Sequence, residues 1–142
     1  MNKYLPIPVS FKGTFPFRIG TTSYIYPDHI LPNIKMLAPF VDEIELVLFE
    51  SGAESNLPTP AEIEAMSRIK HDQNINFNVH LPIDIFLGDP DIDIRKRGIK
   101  IAKRIINDTH TLLPSTYTLH FSLVNKDGTI EKDIKSWRDR LR

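Results

Sequence analysis

Apolar and polar positions along this chain alternate between two periods. Four short runs, FRIGTTS (17–23), EIELVLFE (43–50), INFNVHLP (75–82) and TYTLHFS (116–122), are dense in apolar and β-branched residues and are bounded by turn formers. Runs of that length predict strands near 17–23, 43–49, 75–80 and 116–122. The second is almost continuously apolar, the pattern of a parallel strand covered on both faces. Between the runs the apolar residues recur every three or four positions, as on one side of a helix. Ile30, Leu31, Ile34, Leu37 and Val41 form one stripe, and Ile63, Met66 and Ile69 form another. Ile94, Gly98, Ile101, Ala102, Ile105, Ile106 and Thr109 mark a long helix over roughly 92–110, and Ile134, Trp137 and Leu141 mark a fourth that begins near Glu131.

Local signals sharpen these elements. Asp28 is placed to cap the first helix, Pro32 is tolerable in its first turn, and Pro39 should end it. Thr59, Pro60 and Glu62 combine a capping box with a proline start. Asp89, Asp91 and Asp93 complement the dipole at the start of the long helix. The segment SGAESNLP (51–58) reads as a loop and Asn125 to Gly128 as a turn, while residues 1–16, with Pro6, Pro8 and Pro16, read as an extended arm. The fourth helix runs into Arg142 without a cap, so the chain is expected to stop inside an element. Strand followed by helix, four times over, predicts an α/β fold with a parallel sheet.

Composition narrows the function classes. The 142 residues carry 18 Lys+Arg against 18 Asp+Glu and no cysteine. Zero net charge argues against a nucleic-acid coat or a polybasic membrane binder. Without cysteine there is no disulfide, thiolate zinc site or cysteine nucleophile. The start has no signal-peptide pattern and no apolar run approaches the ~18 residues of a membrane helix, so the expected location is the cytoplasm. Neither GxGxxG nor a phosphate loop with lysine is present, which removes the main dinucleotide and P-loop markers. Six Lys/Arg within 95–104 fall opposite the apolar stripe, as the solvated face of a packed helix, and do not imply nucleic acid.

In α/β folds the reactive groups gather where strands end and loops lead into helices. The polar residues there are Thr21, Thr22 and Ser23 after the first strand, Glu50 after the second, His80 near the end of the third and His120 near the end of the fourth. Both histidines interrupt apolar strands, NVHLP and TLHFS, and would enter one mouth of the sheet from neighbouring strands. Imidazole is a common ligand of divalent zinc, iron or manganese. A lone histidine in a strand is more often an interior residue satisfied by hydrogen bonds; repetition at matching positions favours a shared site. His29, His71 and His110 fall on loops or helix ends and read as surface residues. Glu50 is either a ligand or base at the mouth or a solvated loop carboxylate. Glu45, inside an apolar strand, either orients a ligand or pairs with Arg18 or a helix cation, because a lone buried carboxylate is costly. The Thr21 and Thr22 hydroxyls are weaker candidates for substrate binding, and no catalytic residue is assigned.

With FRIGTTSYIYPDHILPNIKMLAPFVDEIELVLFES, then NVHLPIDIFLG, then TLHFS, the sequence resembles the xylose isomerase-like TIM barrels, which include the endonuclease IV type of AP endonucleases (AP endonuclease family 2) and sugar phosphate isomerases/epimerases. Within that group it is most similar to the cobamide-remodelling phosphodiesterases, through the runs around GTTSYI, ELVLFES and VHLP. The similarity covers Phe17 to Ser122, the first half of such a barrel. The resemblance implies that residues 17–142 form an N-terminal half, about (β/α)4, of a TIM barrel, since a complete barrel takes roughly 250 residues. It implies that His80 and His120 are divalent-metal ligands of a phosphodiesterase-type hydrolase that cleaves the nucleotide loop of cobamides. The further ligands of such enzymes come from the fifth to eighth strands, so this length of chain is expected to be truncated and inactive alone. A sugar phosphate isomerase/epimerase and a non-catalytic α/β binding module are the alternatives. Open edges on the outer strands of a half barrel further predict a homodimer or higher assembly.

Overall fold

The computed structural model describes residues 4–51 and 54–142. The chain is α/β, with a four-stranded parallel sheet and four α-helices in the order expected of a (β/α)4 unit, consistent with half of a (β/α)8 barrel. Strands β1 (Gly20–Thr22), β2 (Glu43–Val47), β5 (Asn76–His80) and β6 (Tyr117–Thr118) lie side by side in that order. Helices α1 (Ile30–Leu37), α2 (Pro60–Asp72) and α3 (Ile92–Thr109) connect them, and a 3-10 turn, His110–Leu112, extends α3 toward β6. Helix α4 (Ile134–Arg140) follows.

Helices α2, α3 and α4 each start at a side-chain cap. Thr59 Oγ1 accepts from Glu62 N at 3.3 Å while Glu62 Oε2 accepts from Thr59 N at 2.8 Å, the reciprocal bonds expected from the sequence. Asp91 caps α3 and Asp133 caps α4 through their carboxylates. Asp28 does not cap α1; its carboxylate binds the N–H of His29, which is the N-cap residue and gives no side-chain bond. Asn33, fully buried within the helix, instead orders the incoming turn: its amide accepts the N–H of Tyr26 and donates to the carbonyls of Tyr26, Asp28 and His29. Helix α1 stops at Leu37, two residues before Pro39.

The apolar stripes converge on one face of the sheet. Ile34 and Leu37 of α1, Ile63 and Met66 of α2 and Ile105 of α3 pack with Ile44, Leu46, Phe77 and Val79 in a single core. Burying side chains of this size stabilises the fold by about 1.5–3 kcal/mol each. The opposite face is different. Along β2 and β5, buried and half-buried residues alternate strictly, so β2 is covered on one face only and not on both as its composition suggests. Register places Thr22, Glu45 and Asn78 in one row of that second face and Val47, His80 and Thr118 in the next.

Strand lengths also depart from the apolar runs. β1 begins at Gly20 because Asp42 Oδ2 takes the Ile19 N–H and the Ile19 carbonyl turns to Asp42 and Glu43, leaving Phe17 largely exposed. β2 ends at Val47, where Asn56 takes over, accepting from Phe49 N at 2.6 Å and donating to Val47 O at 2.7 Å. The segment read as a loop forms a small antiparallel ribbon, β3 (Glu50–Ser51) with β4 (Glu54–Ser55). The fourth strand keeps only two of seven expected residues. Helix α4 starts at Ile134 instead of near Glu131, and none of its residues is buried. Residues 4–16 form no helix or strand and lie along α1 and its turn into β2 through Phe11 N to Phe40 O (2.9 Å), Lys12 Nζ to Ala38 O (2.8 Å) and Gly13 N to Asp42 Oδ1 (2.8 Å).

Candidate metal centre at the carboxyl ends of the strands

Parallel strands bring all their carboxyl ends to one edge, and there His80 and His120 meet. Their Nε2 atoms are 2.9 Å apart and the ring centroids 4.8 Å apart, with the planes inclined by 39°. His80 is the last residue of β5, half-buried on the polar face of the sheet. His120 lies two residues beyond β6 and is exposed. The Leu81 carbonyl is 2.9 Å from His80 Nδ1. A carbonyl only accepts, so Nδ1 carries the proton of the neutral ring and Nε2 presents its lone pair. With both rings neutral, His120 Nε2–H donates to His80 Nε2.

The geometry suits two adjacent ligand positions. Imidazole nitrogens bound at about 2.0–2.1 Å stand about 3.3 Å apart on a tetrahedral ion and about 2.9 Å apart at a right angle. A backbone carbonyl on the distal nitrogen is the usual outer support of a metal-bound histidine, since it sets tautomer and ring orientation together. The pair is not joined by a third ligand: no group of three or more His, Asp or Glu side chains able to hold an ion occurs among the described residues.

The other candidates take separate places. Thr22 and Glu45 share the polar face with His80, one row nearer the amino ends of the strands. Thr21 has the opposite parity and falls in the row of Ile44 and Phe77, toward the helices. Glu45 is half-buried and bonds through its side chain to no other described residue; Arg18 pairs instead with Glu43, at 3.9 Å. Glu43 also accepts from Ser115 Oγ and Asn78 Nδ2, which ties the amino ends of β2 and β5 to the segment entering β6. The Glu50 side chain lies outside the described residues. Ser23 is fully buried, and its backbone and hydroxyl continue the β2 ladder through Glu45 O and Val47 N, so it is structural. His29, His71 and His110 are all exposed; His71 meets Asp72 and His110 meets Asn107 O.

Sequence reasoning passed over the groups that set the loops of this edge. Asn33 was hidden within an apolar helical stripe, and Asn56 within a stretch read only as loop. Trp137 reads only as one of the apolar positions marking the fourth helix, yet its Nε1 donates to Ser122 O at 3.1 Å and its ring lies against Gly88. No helix among the described residues is long and apolar enough to cross a membrane. No family model and no curated protein matches the chain.

Proposed function

We propose that the chain carries two ligands, His80 and His120, of a divalent-metal centre belonging to a phosphodiester hydrolase. The carrying observation is the meeting of two Nε2 atoms at 2.9 Å with His80 Nδ1 engaged by a backbone carbonyl. Zinc, iron or manganese held there supplies a water of lowered pKa and neutralises charge on the phosphodiester oxygens. The polar face below the pair, with Thr22 and Glu45, offers hydroxyl and carboxylate groups toward a small-molecule substrate. Sequence resemblance adds a specific candidate, the nucleotide loop of a cobamide.

Calorimetric titration of Zn²⁺ and Mn²⁺ into the wild type, His80→Ala and His120→Ala tests the centre. One bound ion in the wild type and an affinity loss of at least about tenfold in each variant are expected. No binding in the wild type, or wild-type affinity retained in either variant, would overturn the proposal. Calorimetric titration of the loaded chain with a cobamide and, separately, a ketose phosphate tests the substrate class. Cobamide binding that depends on His80 supports it, whereas binding of the ketose phosphate alone would move the reading to an isomerase.

A further inference from the structure

His120 stands where the sheet no longer determines its position. The last β5–β6 bond runs from Leu81 N to Thr118 O at 3.0 Å, and His120 follows two residues later on an exposed loop. What holds that loop comes from further along the chain. Ser122 O accepts from Trp137 Nε1, and Glu131 N donates to Leu123 O at 2.8 Å, closing a short antiparallel bridge between Val124 and Ile130. The closed segment is then fastened to the loop that leaves β5. Trp137 lies so tightly on Gly88 that a β-carbon there would collide with the indole Nε1 and Cδ1. Arg140 Nε donates to Gly88 O at 2.8 Å while its guanidinium pairs with Glu131. Lys126 N donates to the buried Asp89 carboxylate at 2.8 Å.

We propose that Trp137 and Arg140 are positioning residues for the imidazole pair, clasping the loop of His120 to the loop of His80. The distribution of burial supports this. Helix α4 contributes nothing to the hydrophobic core and buries no residue, so its tight contacts at Gly88 serve the carboxyl edge and not the body of the fold. Two connections then join the histidines, one through the sheet and one through the clasp. The inference rests on the ligand-pair reading, but its geometric content does not depend on any metal.

The experiment compares the wild-type chain with Trp137→Ala, Trp137→Phe, Arg140→Gln and, as a control on the same helix, Arg138→Ala. Long-range ¹H–¹⁵N imidazole spectra report the Nε2 contact without metal, Co²⁺ absorption titration reports the ligand pair, and core methyl shifts report the fold. Trp137→Ala and Arg140→Gln should erase the hydrogen-bonded Nε2 signature and weaken Co²⁺ binding about 10–100-fold with core methyl shifts unchanged. Trp137→Phe, which keeps a ring over Gly88, should lose less, and Arg138→Ala nothing. Unchanged imidazole spectra in Trp137→Ala would overturn the clasp. Global unfolding of that variant would overturn it too, because it would make Trp137 a core residue. Failure of the wild type to bind Co²⁺ sinks the metal reading alone, since the imidazole spectra still judge the positioning.

Discussion

His80 and His120 occupy matching places in the sequence and unlike places in the molecule. His80 closes a five-residue strand paired on both sides, above a core in which Phe77 and Val79 are fully buried. His120 follows a two-residue strand at the edge of the sheet, in a segment that adds only the partly buried Tyr117 and Leu119 to the margin of the core. Hydrophobic burial positions the first through many neighbours; a few hydrogen bonds and one aromatic contact position the second. An imidazole pair assembled from two such supports has one rigid member and one adjustable member. Local stability should differ accordingly, because opening of a segment costs little where few apolar contacts are lost.

Breaking the first support should have the larger effect. Phe77→Ala removes a fully buried ring between the sheet and its helices and should cost about 3–5 kcal/mol, read as a lower urea midpoint for the whole chain. Gly88→Ala attacks the second support by evicting Trp137. Amide exchange should then accelerate in α4 and residues 119–131 while β2 and β5 keep their protection; equal loss in both regions would refute the two-support picture. Thr59→Ala tests a purely local device whose bonds, to Glu62, involve neither histidine. Loss of its capping bonds should cost about 1 kcal/mol and leave the imidazole contact unchanged.

Acid offers a graded version of the comparison. Hydrogen bonds from Ile19 and Gly13 hold the Asp42 carboxyl below its ordinary range, with Lys12 and Arg18 adding to the effect. The Asp133 N–H and the Arg140 guanidinium do the same for Glu131, and Ser136 does so for Asp133. These groups have folded values below their unfolded ones, so their stabilisation is complete above about pH 4–5 and fades as pH falls through the depressed values. The N-terminal segment and the α4 clasp should loosen in that window before the core does, as amide exchange across pH 2–5 would show.

The sheet edges supply the gentlest contrast. β2 and β5 are paired on both sides, whereas β1 and β6 each have one outer side with no strand against it among the described residues. Such edges favour pairing with a second copy. Concentration-dependent growth in particle mass by small-angle scattering is expected, and a monodisperse monomer at all concentrations would count against edge pairing.

Much of the architecture was legible because it depends on local patterns. The stripes Ile34–Leu37 and Ile63–Met66, the Thr59–Glu62 box and the Pro39 stop act within one or two turns, and each places an element with no knowledge of its neighbours. The two histidines were likewise visible as polar interruptions of apolar strands. Strand ends were not, since they depend on who takes the next backbone group: Asp42 takes Ile19 N, and Asn56 takes Phe49 N. Nor does the composition of EIELVLFE tell that Ile44, Leu46 and Leu48 are buried while Glu43, Glu45 and Val47 are half-buried on the opposite face.

By itself, then, the sequence determined the α/β order, the start of α2 at Thr59 and the two imidazoles at strand ends, because periodicity and capping are short-range. Only the tertiary structure decided that those imidazoles touch, that Arg18 pairs with Glu43 and not Glu45, and that Trp137 serves a loop and not the core. Each of these depends on the distance between residues far apart in the chain, which register and packing set and local composition does not encode.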